Sequence, residues 1–167
     1  IEEFKISRGQ FANVQALLIV GALVAPALGR AFDHFGFRRV YALGTMAVMG
    51  AHLLMATQIT SLAAFAGVAL IYGSAGLCSG PLSYTSLIAG WFSAARGLAL
   101  GLAALGVALM ALVASPILAQ LIATEGWRAG YLALAALGGL MGVPLVLLLA
   151  RDPPHVAPKQ KVEATEP

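Results

Sequence analysis

The chain has 167 residues, of which 60% are hydrophobic and 10% are charged, and its mean hydropathy is +0.88. A soluble domain carries about a quarter charged residues, so this composition excludes a water-soluble globular protein and indicates a membrane protein. The net charge of +3 is too small to indicate nucleic-acid binding, and the basic residues are better explained by membrane orientation. One cysteine, Cys78, leaves no internal disulfide.

Five apolar segments are long enough to cross a bilayer, which takes about 20 helical residues. A capping-box pattern from Ser7 to Gln10 predicts a helix start near Arg8, and because the residues before it are polar we expect no cleavable signal directly before this helix. The first residue is Ile, which suggests that the start of a longer protein is missing. The predicted helices cover residues 8–31, 40–57, 62–92, 96–123 and 129–150.

These helices predict an all-α, multi-pass transmembrane bundle over residues 1–152. Residues 153–167 are polar and rich in proline, and we expect a disordered cytoplasmic tail or a linker between two halves of a larger protein. Prolines inside the apolar segments predict local bends, at Pro26, at Gly80-Pro81 and at Ser115-Pro116.

Two helix faces carry small residues at helical spacing, which lets neighbouring helices approach closely. The third segment has Gly73, Gly76 and Gly80 on such a face. The fourth segment has Gly97 and Gly101, continued by alanines. We predict that both faces are helix-packing surfaces.

The loop GRAFDHFGFRRV between the first two segments is the one place where charges crowd together. Gly29 and Gly36 favour close helix approach and a tight reversal. Asp33 lies at the membrane edge and should seek an arginine or a helix N-terminus. Arg38 and Arg39 begin the next helix, at the wrong end for its dipole, so they serve orientation or a specific ion pair. The alternative is a solvated loop that only fixes topology.

The basic residues are distributed unevenly between the two sides of a five-helix topology. Seven of the ten share the side of the first loop, the turn at Arg96 and the tail, whereas Lys5, Arg8 and Arg128 lie on the other side. We expect a plasma-membrane protein, and the positive-inside rule predicts that its C-terminus is cytoplasmic and its N-terminus external.

Three stretches resemble the major facilitator superfamily of transporters. Gly29-x-x-x-Asp33-x-x-Gly36-x-Arg38-Arg39 resembles its signature loop between the second and third helices. Trp91-Phe92 followed by ARGLALG at 95–101 resembles the junction of its fourth and fifth helices, in wording closest to monocarboxylate and oxalate/formate-type carriers. Gly126-Trp127-Arg128 resembles the turn before its sixth helix.

The resemblance implies that the chain supplies helices two to six of a twelve-helix secondary transporter. Its expected partners are the lipid bilayer, a small organic solute such as a mono- or dicarboxylate with a coupling proton, and the missing first helix and C-terminal half. Asp33 and Arg38 resemble the family's cytoplasmic gating charges, with Arg96 as a candidate partner for Asp33. Position 34, often basic in the family, is His34 here, and the lower third helix has no acidic residue to complete the charge relay seen in some members, so the gating network is expected to be reduced.

No basic residue lies deep in the five segments, so a cation that holds an anionic substrate would come from the missing segments. Polar residues inside the segments are candidates for the substrate cavity, with helix–helix hydrogen bonding as the alternative for each. They are Gln15, His52, Ser79, Ser83, Tyr84 and Gln120.

No catalytic constellation, metal-ligand cluster or phosphate-binding loop is visible in the sequence, and we expect neither an enzyme nor a cofactor. The sequence leaves one other class of function open. In that alternative the chain is a non-transporting membrane assembly subunit that binds partner helices through its small-residue faces.

Overall fold

A computed structural model describes residues 8–58 and 61–151. The described residues form eight α-helices and one π-helical segment, with no strand among them, which confirms the predicted all-α bundle. In chain order they are α1 (Arg8–Ala22), α2 (Ala25–Phe35), α3 (Phe37–Thr57), α4 (Leu62–Ser79), α5 (Pro81–Trp91), α6 (Arg96–Glu125), α7 (Trp127–Leu137), the π segment (Gly138–Gly142) and α8 (Val143–Leu149).

The described helices give four candidate membrane spans, or five when a bent pair is counted as one span. Four continuous or nearly continuous stretches are long and apolar enough to cross, namely Phe37–Thr57, Leu62–Trp91, Arg96–Glu125 and Trp127–Leu149. The bent pair is Ala12–Gly21 with Ala25–Phe35, and the two parts meet at 42°. This arrangement is a multi-pass membrane bundle.

The first predicted helix is broken in two. Residues 23–24 interrupt it, and Pro26 lies in the first turn of α2, where a missing N–H costs no helical hydrogen bond. The second part continues to Phe35, four residues beyond the predicted end at Ala31. The predicted capping residue, Ser7, lies outside the described residues.

Gly36 joins α2 directly to α3. Its backbone has φ 81° and ψ 158°, a conformation open essentially to glycine alone. Because one residue makes the whole reversal, α3 starts at Phe37 rather than at the predicted Val40. Gly126 joins α6 to α7 in the same way, with φ 86° and ψ 168°.

The third predicted span bends at Gly80-Pro81, as the sequence predicts. Ser61 caps the start of α4 by accepting a hydrogen bond from the Ala64 N–H at 3.2 Å. At the bend, the Ser83 hydroxyl donates to the Leu77 carbonyl at 2.8 Å. That bond satisfies a carbonyl that the broken helix leaves without its normal donor.

The last two spans differ in how they accommodate proline. Pro116 lies inside the continuous helix α6. In the final span the helix widens into the π segment, just before Pro144 in the first turn of α8. Pro144 has no N–H for the carbonyls four and five residues before it, and a π-bulge is a common response to such a break.

The core lies between α3, α4 and α7. Ala51, Met55 and Val68 are buried there, surrounded by half-buried aromatic side chains. Helix α1 packs on the other side of α4, whereas α6 buries no side chain and contacts mainly α7 and α5. The bundle therefore has a packed side and an open side.

Glycines make the close approaches on the packed side. A Cβ on Gly73 would lie 2.6 Å from the Leu18 carbonyl oxygen, and one on Gly44 would overlap the Cys78 side chain. Gly138 and Gly139 of the π segment accommodate Met49 of α3. These contacts show α1, α3 and the π segment packed tightly against their neighbours.

The two small-residue faces predicted from the sequence are only partly used for packing between the described helices. Gly73 packs as predicted, but a Cβ on Gly76 would meet no described atom within 4 Å. Gly80 lies at the bend of the third span, where a Cβ would meet only its own helix. Gly97 and Gly101 are exposed on α6 with no described neighbour within 4 Å, so their predicted packing is not made within the described chain.

Candidate functional site

Three connecting segments meet at one end of the bundle, which we call the Arg38 end. It is formed by residues 33–39, residues 91–96 and residues 147–151. Side chains of the first two segments donate to backbone carbonyls of α5 and of residues 147–151. All of the predicted gating residues except Gly29 lie in the first two of these segments.

Arg38 links the start of α3 to the end of α8. Its guanidinium donates a hydrogen bond to the Leu147 carbonyl, in the last turn of α8. Such carbonyls have no intrahelical donor, and a cation there interacts favourably with the helix dipole. Arg38 opposes the dipole of its own helix, α3, as the sequence analysis noted. It lies, however, at the carbonyl end of the neighbouring helix α8, where a cation is favourable.

Two further side chains tie α5 into the Arg38 end. Trp91 donates from Nε1 to the Arg151 carbonyl at 3.0 Å. Arg96 donates from Nη2 to the Ala89 carbonyl at 3.2 Å and from Nε to the Phe92 carbonyl at 3.4 Å. Arg96 therefore neutralises the carbonyl end of α5, a role that its place in the sequence did not reveal.

The other predicted gating residues are open to their surroundings. Asp33 is exposed in the last turn of α2, and no ion pair joins it to another residue of the described ranges. Arg39 is exposed as well. A Cβ on Gly29 would meet nothing within 4 Å, so the structure does not bring a second helix against this glycine.

His52 lies in an aromatic cluster towards the opposite end of α3. Its Nδ1 is 2.8 Å from the Val48 carbonyl, one turn earlier in the helix. The ring makes an edge contact with Tyr72 at 5.1 Å between centroids and a tilted contact with Tyr131 at 5.8 Å. This environment supports the structural alternative, a histidine held by backbone and packing.

The remaining cavity candidates lie on several helices. Ser83 is only 1% exposed and its hydroxyl donates to the Leu77 carbonyl at the α4–α5 bend, which supports the structural alternative for this residue. Ser79 and Tyr84 are partly buried on either side of that bend, and Gln120 is exposed on α6. The side chain of Gln15 lies outside the described residues. Of the described candidates, Ser79, Ser83 and Tyr84 lie together at the bend, whereas His52 and Gln120 lie on other helices.

Two buried hydroxyl groups escaped the sequence analysis. The Thr45 Oγ1 and the Tyr72 Oη have no hydrogen-bond partner within the described part of the chain. Thr45 faces Gly142 of the π segment, where a Cβ would lie 3.9 Å from its Cγ2. A polar residue on the packed face of α3 was the available signal, but the sequence does not show which face packs.

The described residues hold no group of three or more histidine, cysteine, aspartate or glutamate side chains that could bind a metal ion. The polar contacts of the Arg38 end are instead arginine and tryptophan donors on helix-terminal carbonyls. This chemistry ties helices together and does not by itself bind a ligand.

Comparisons with known proteins agree with the architecture. The sequence profile described as Major Facilitator Superfamily matches residues 1–167. An uncharacterized MFS-type transporter, YcxA of Bacillus subtilis (strain 168), is 25% identical over 144 residues, which is 86% of this chain and 35% of that protein. The chain therefore spans about a third of the length of the curated relative that it matches.

No solved structure matches the chain. The profile match over the whole chain and the multi-pass helical bundle lead to one conclusion. The chain belongs to the major facilitator superfamily.

Proposed function

We propose that the chain is part of a secondary transporter that moves a small organic solute by alternating access. Family membership and the named relative, a transporter by its description, support this function. In such carriers the substrate lies near the bilayer midplane between repeats or halves that rock against each other. The proposed gate is the Arg38 end, and the proposed missing partners are a first helix and a C-terminal half.

The observation that carries the proposal is the bonding of the Arg38 end. Arg38 and Trp91 join three spans there through backbone carbonyls, so this end can move as one body. Asp33 is exposed at the same end without an ion pair in the described ranges. A carboxylate at a membrane edge gains from a charged or hydrogen-bonding partner. We infer that Asp33 finds one when this end is closed, and the candidate is Arg96, which lies at the same end.

The proposed substrate class is a small mono- or dicarboxylate. It is suggested by the ARGLALG wording at residues 95–101 and by the excess of basic residues at the Arg38 end. We propose that this end is cytoplasmic, which follows from the positive-inside rule. The cation that holds the carboxylate would belong to the segments outside this chain.

The test is uptake by the complete protein in proteoliposomes. Radiolabelled lactate, oxalate and formate are offered one at a time, with and without an inward proton gradient. We expect saturable uptake of at least one of them, reduced at least tenfold by Asp33→Asn at equal protein content. The matched control is Glu125→Gln, which neutralises an exposed acid at the opposite end of the bundle and should leave uptake unchanged.

One observation supports the alternative function raised in the sequence analysis, that of a membrane assembly subunit. Helix α6 has 30 residues and buries none of them, and Gly97 and Gly101 lie uncovered on it. This surface fits another helix, from the rest of a carrier or from a different protein. If the complete protein takes up none of the three acids and instead purifies with a partner that Gly101→Leu releases, the assembly function replaces the transport function.

A further inference from the structure

The chain contains two copies of one helix-junction pattern, at residues 26–41 and 116–131. The two stretches align without a gap and share five identities, and in each an aromatic residue, Phe37 or Trp127, follows the glycine. The identical pairs are Pro26 and Pro116, Leu28 and Leu118, Gly36 and Gly126, Arg38 and Arg128, and Tyr41 and Tyr131.

The two copies also share their geometry. Both glycines have positive φ and extended ψ, and each donates its N–H to the carbonyl four residues earlier at 3.0 Å. The aromatic residue contacts the tyrosine four residues later in both copies, at 5.2 Å for Phe37 and 6.0 Å for Trp127. The repeat is therefore present in the structure as well as in the sequence.

The junctions lie at opposite ends of one antiparallel helix pair. Helix α3 packs along the final span, with His52 near Tyr131, Met49 against the π segment and Arg38 at Leu147. Leu147 comes twenty-one residues after its junction glycine, Gly126. The residue at the same interval after Gly36 is Thr57, the last residue of α3. The register therefore places the end of α3 opposite Arg128.

We propose that Arg128 is a positioning residue that does for α3 what Arg38 does for α8. Both arginines begin a helix, where a cation opposes the dipole of its own helix and favours the carbonyl end of an antiparallel neighbour. The Arg128 guanidinium lies over the Trp127 ring at 4.5 Å, a cation–π contact that holds it at the helix start. It thereby neutralises the carbonyl end of α3 around Thr57.

The second junction keeps the glycine, the aromatic residue and the arginine of the pattern, but its one acid, Glu125, stands where the first copy has Phe35. Ala123 stands where the first copy has Asp33, and Ala129 stands where it has Arg39. Inverted repeats are common in secondary transporters. The charged residues that differ between the two copies nevertheless indicate different roles for the two ends. Both junctions hold α3 against the final span, and the gating role is assigned to the Arg38 end, whose acid, Asp33, is replaced by Ala123 in the second copy. This last division rests on the proposed function.

Hydrogen exchange of the complete protein in nanodiscs tests the role of Arg128 without a substrate. Peptide-resolved exchange is followed at residues 54–58, the end of α3, and at residues 146–150, the end of α8. We expect Arg128→Ala to raise exchange about threefold to tenfold at residues 54–58 only. Arg38→Ala should do the same at residues 146–150 only. Arg39→Ala and Glu125→Gln are the matched controls and should change neither.

Further variants distinguish a positioning role of the Arg128 charge from a general contribution of this residue to stability. Arg128→Lys keeps the charge and should restore most of the protection at residues 54–58, and Trp127→Ala should lose part of it. If Arg128→Ala does not reach the membrane, the comparison of Arg128→Lys with Trp127→Ala decides in the same way. Unchanged exchange at residues 54–58, or an equal rise at both ends, would overturn the proposal whatever the transport assay shows.

Discussion

Gly21 of α1 and Gly73 of α4 touch backbone to backbone. A Cβ added to Gly21 would lie 2.6 Å from the Gly73 Cα, and one added to Gly73 would lie 3.1 Å from the Gly21 Cα. Two helices approach this closely only where neither carries a side chain at the crossing. The bent first span is therefore held to the bundle by a contact that any side chain would disrupt.

Gly73→Ala should destabilise the bundle at this crossing. The added methyl group would meet the α1 backbone, which cannot move aside as a flexible side chain can, and such overpacking costs about 1–3 kcal/mol. The measurement is the SDS-induced unfolding midpoint of the purified protein. Gly76→Ala, one turn along the same helix in open space, is the control, and an equal loss in both variants would contradict the crossing.

Gly139→Ala should destabilise the contact between the π segment and α3 because the new methyl group would overlap the Met49 Cε. Met49→Ala removes the obstacle, so the double variant should be less destabilised than the two single losses added together. The same unfolding assay measures the coupling. Additive losses would show that Met49 moves freely and that the π segment does not depend on it. Gly106→Ala, with nothing within 4 Å, is the reference.

Gly36→Ala should impair the protein through its backbone. The φ of 81° with ψ of 158° is strained for any residue with a Cβ, at a cost of about 1–3 kcal/mol. Gly29→Ala, seven residues earlier, adds a methyl group in open space at ordinary helical geometry and should be neutral or slightly stabilising. Membrane-inserted protein and unfolding midpoint are compared for both. Equal tolerance would show that the junction relaxes to another turn.

The topology can be tested with single cysteines at Gln10 and Lys159 in a Cys78→Ala background. Impermeant maleimide should label Gln10→Cys in intact cells and Lys159→Cys only after permeabilisation, because the basic residues favour a cytoplasmic Arg38 end. Labelling of both positions from one side would contradict a five-span topology. The reverse pattern would keep five spans and invert the orientation.

The gating proposal predicts coupling between Asp33 and Arg96. Asp33→Asn should cut transport by the complete protein sharply at unchanged expression. Arg96→Ala should have a smaller effect once Asp33 is already neutral. In this structure Arg96 donates to carbonyls of α5, so coupling would mean that the arginine exchanges those partners for Asp33 in another state. Additive losses would show that the two residues act separately.

The sequence predicts the bundle and the junction at Gly36 because both depend on local chemistry. Apolar runs of sufficient length show where spans lie, and a glycine between two helices shows where the chain reverses. Helix packing depends instead on which faces meet, and this is set by the fold as a whole. Gly76 and Gly101 have the expected spacing and no described neighbour, whereas Gly21 and Gly44 pack closely without belonging to a recognised pattern.

The charged loop shows the same contrast between what local sequence predicts and what depends on the whole fold. Its residues predict a functional end of the bundle, and the structure brings Arg38, Trp91 and Arg96 to that end. Their partners could not be predicted because they are helix-terminal carbonyls, which every residue type carries equally. The π segment was missed for a similar reason, since Pro144 near the end of a span is compatible with either a kink or a bulge.

The most direct test of a carrier is counterflow in proteoliposomes that contain the complete protein. Vesicles are loaded with a high concentration of unlabelled lactate, oxalate or formate and diluted into a trace of the labelled acid, with no ion gradient. A protein that works by alternating access should accumulate label transiently above the equilibrium level for at least one acid, and Asp33→Asn should abolish the overshoot. Uptake that rises only to equilibrium and does not saturate, or none for any of the three, would contradict alternating-access transport of this substrate class.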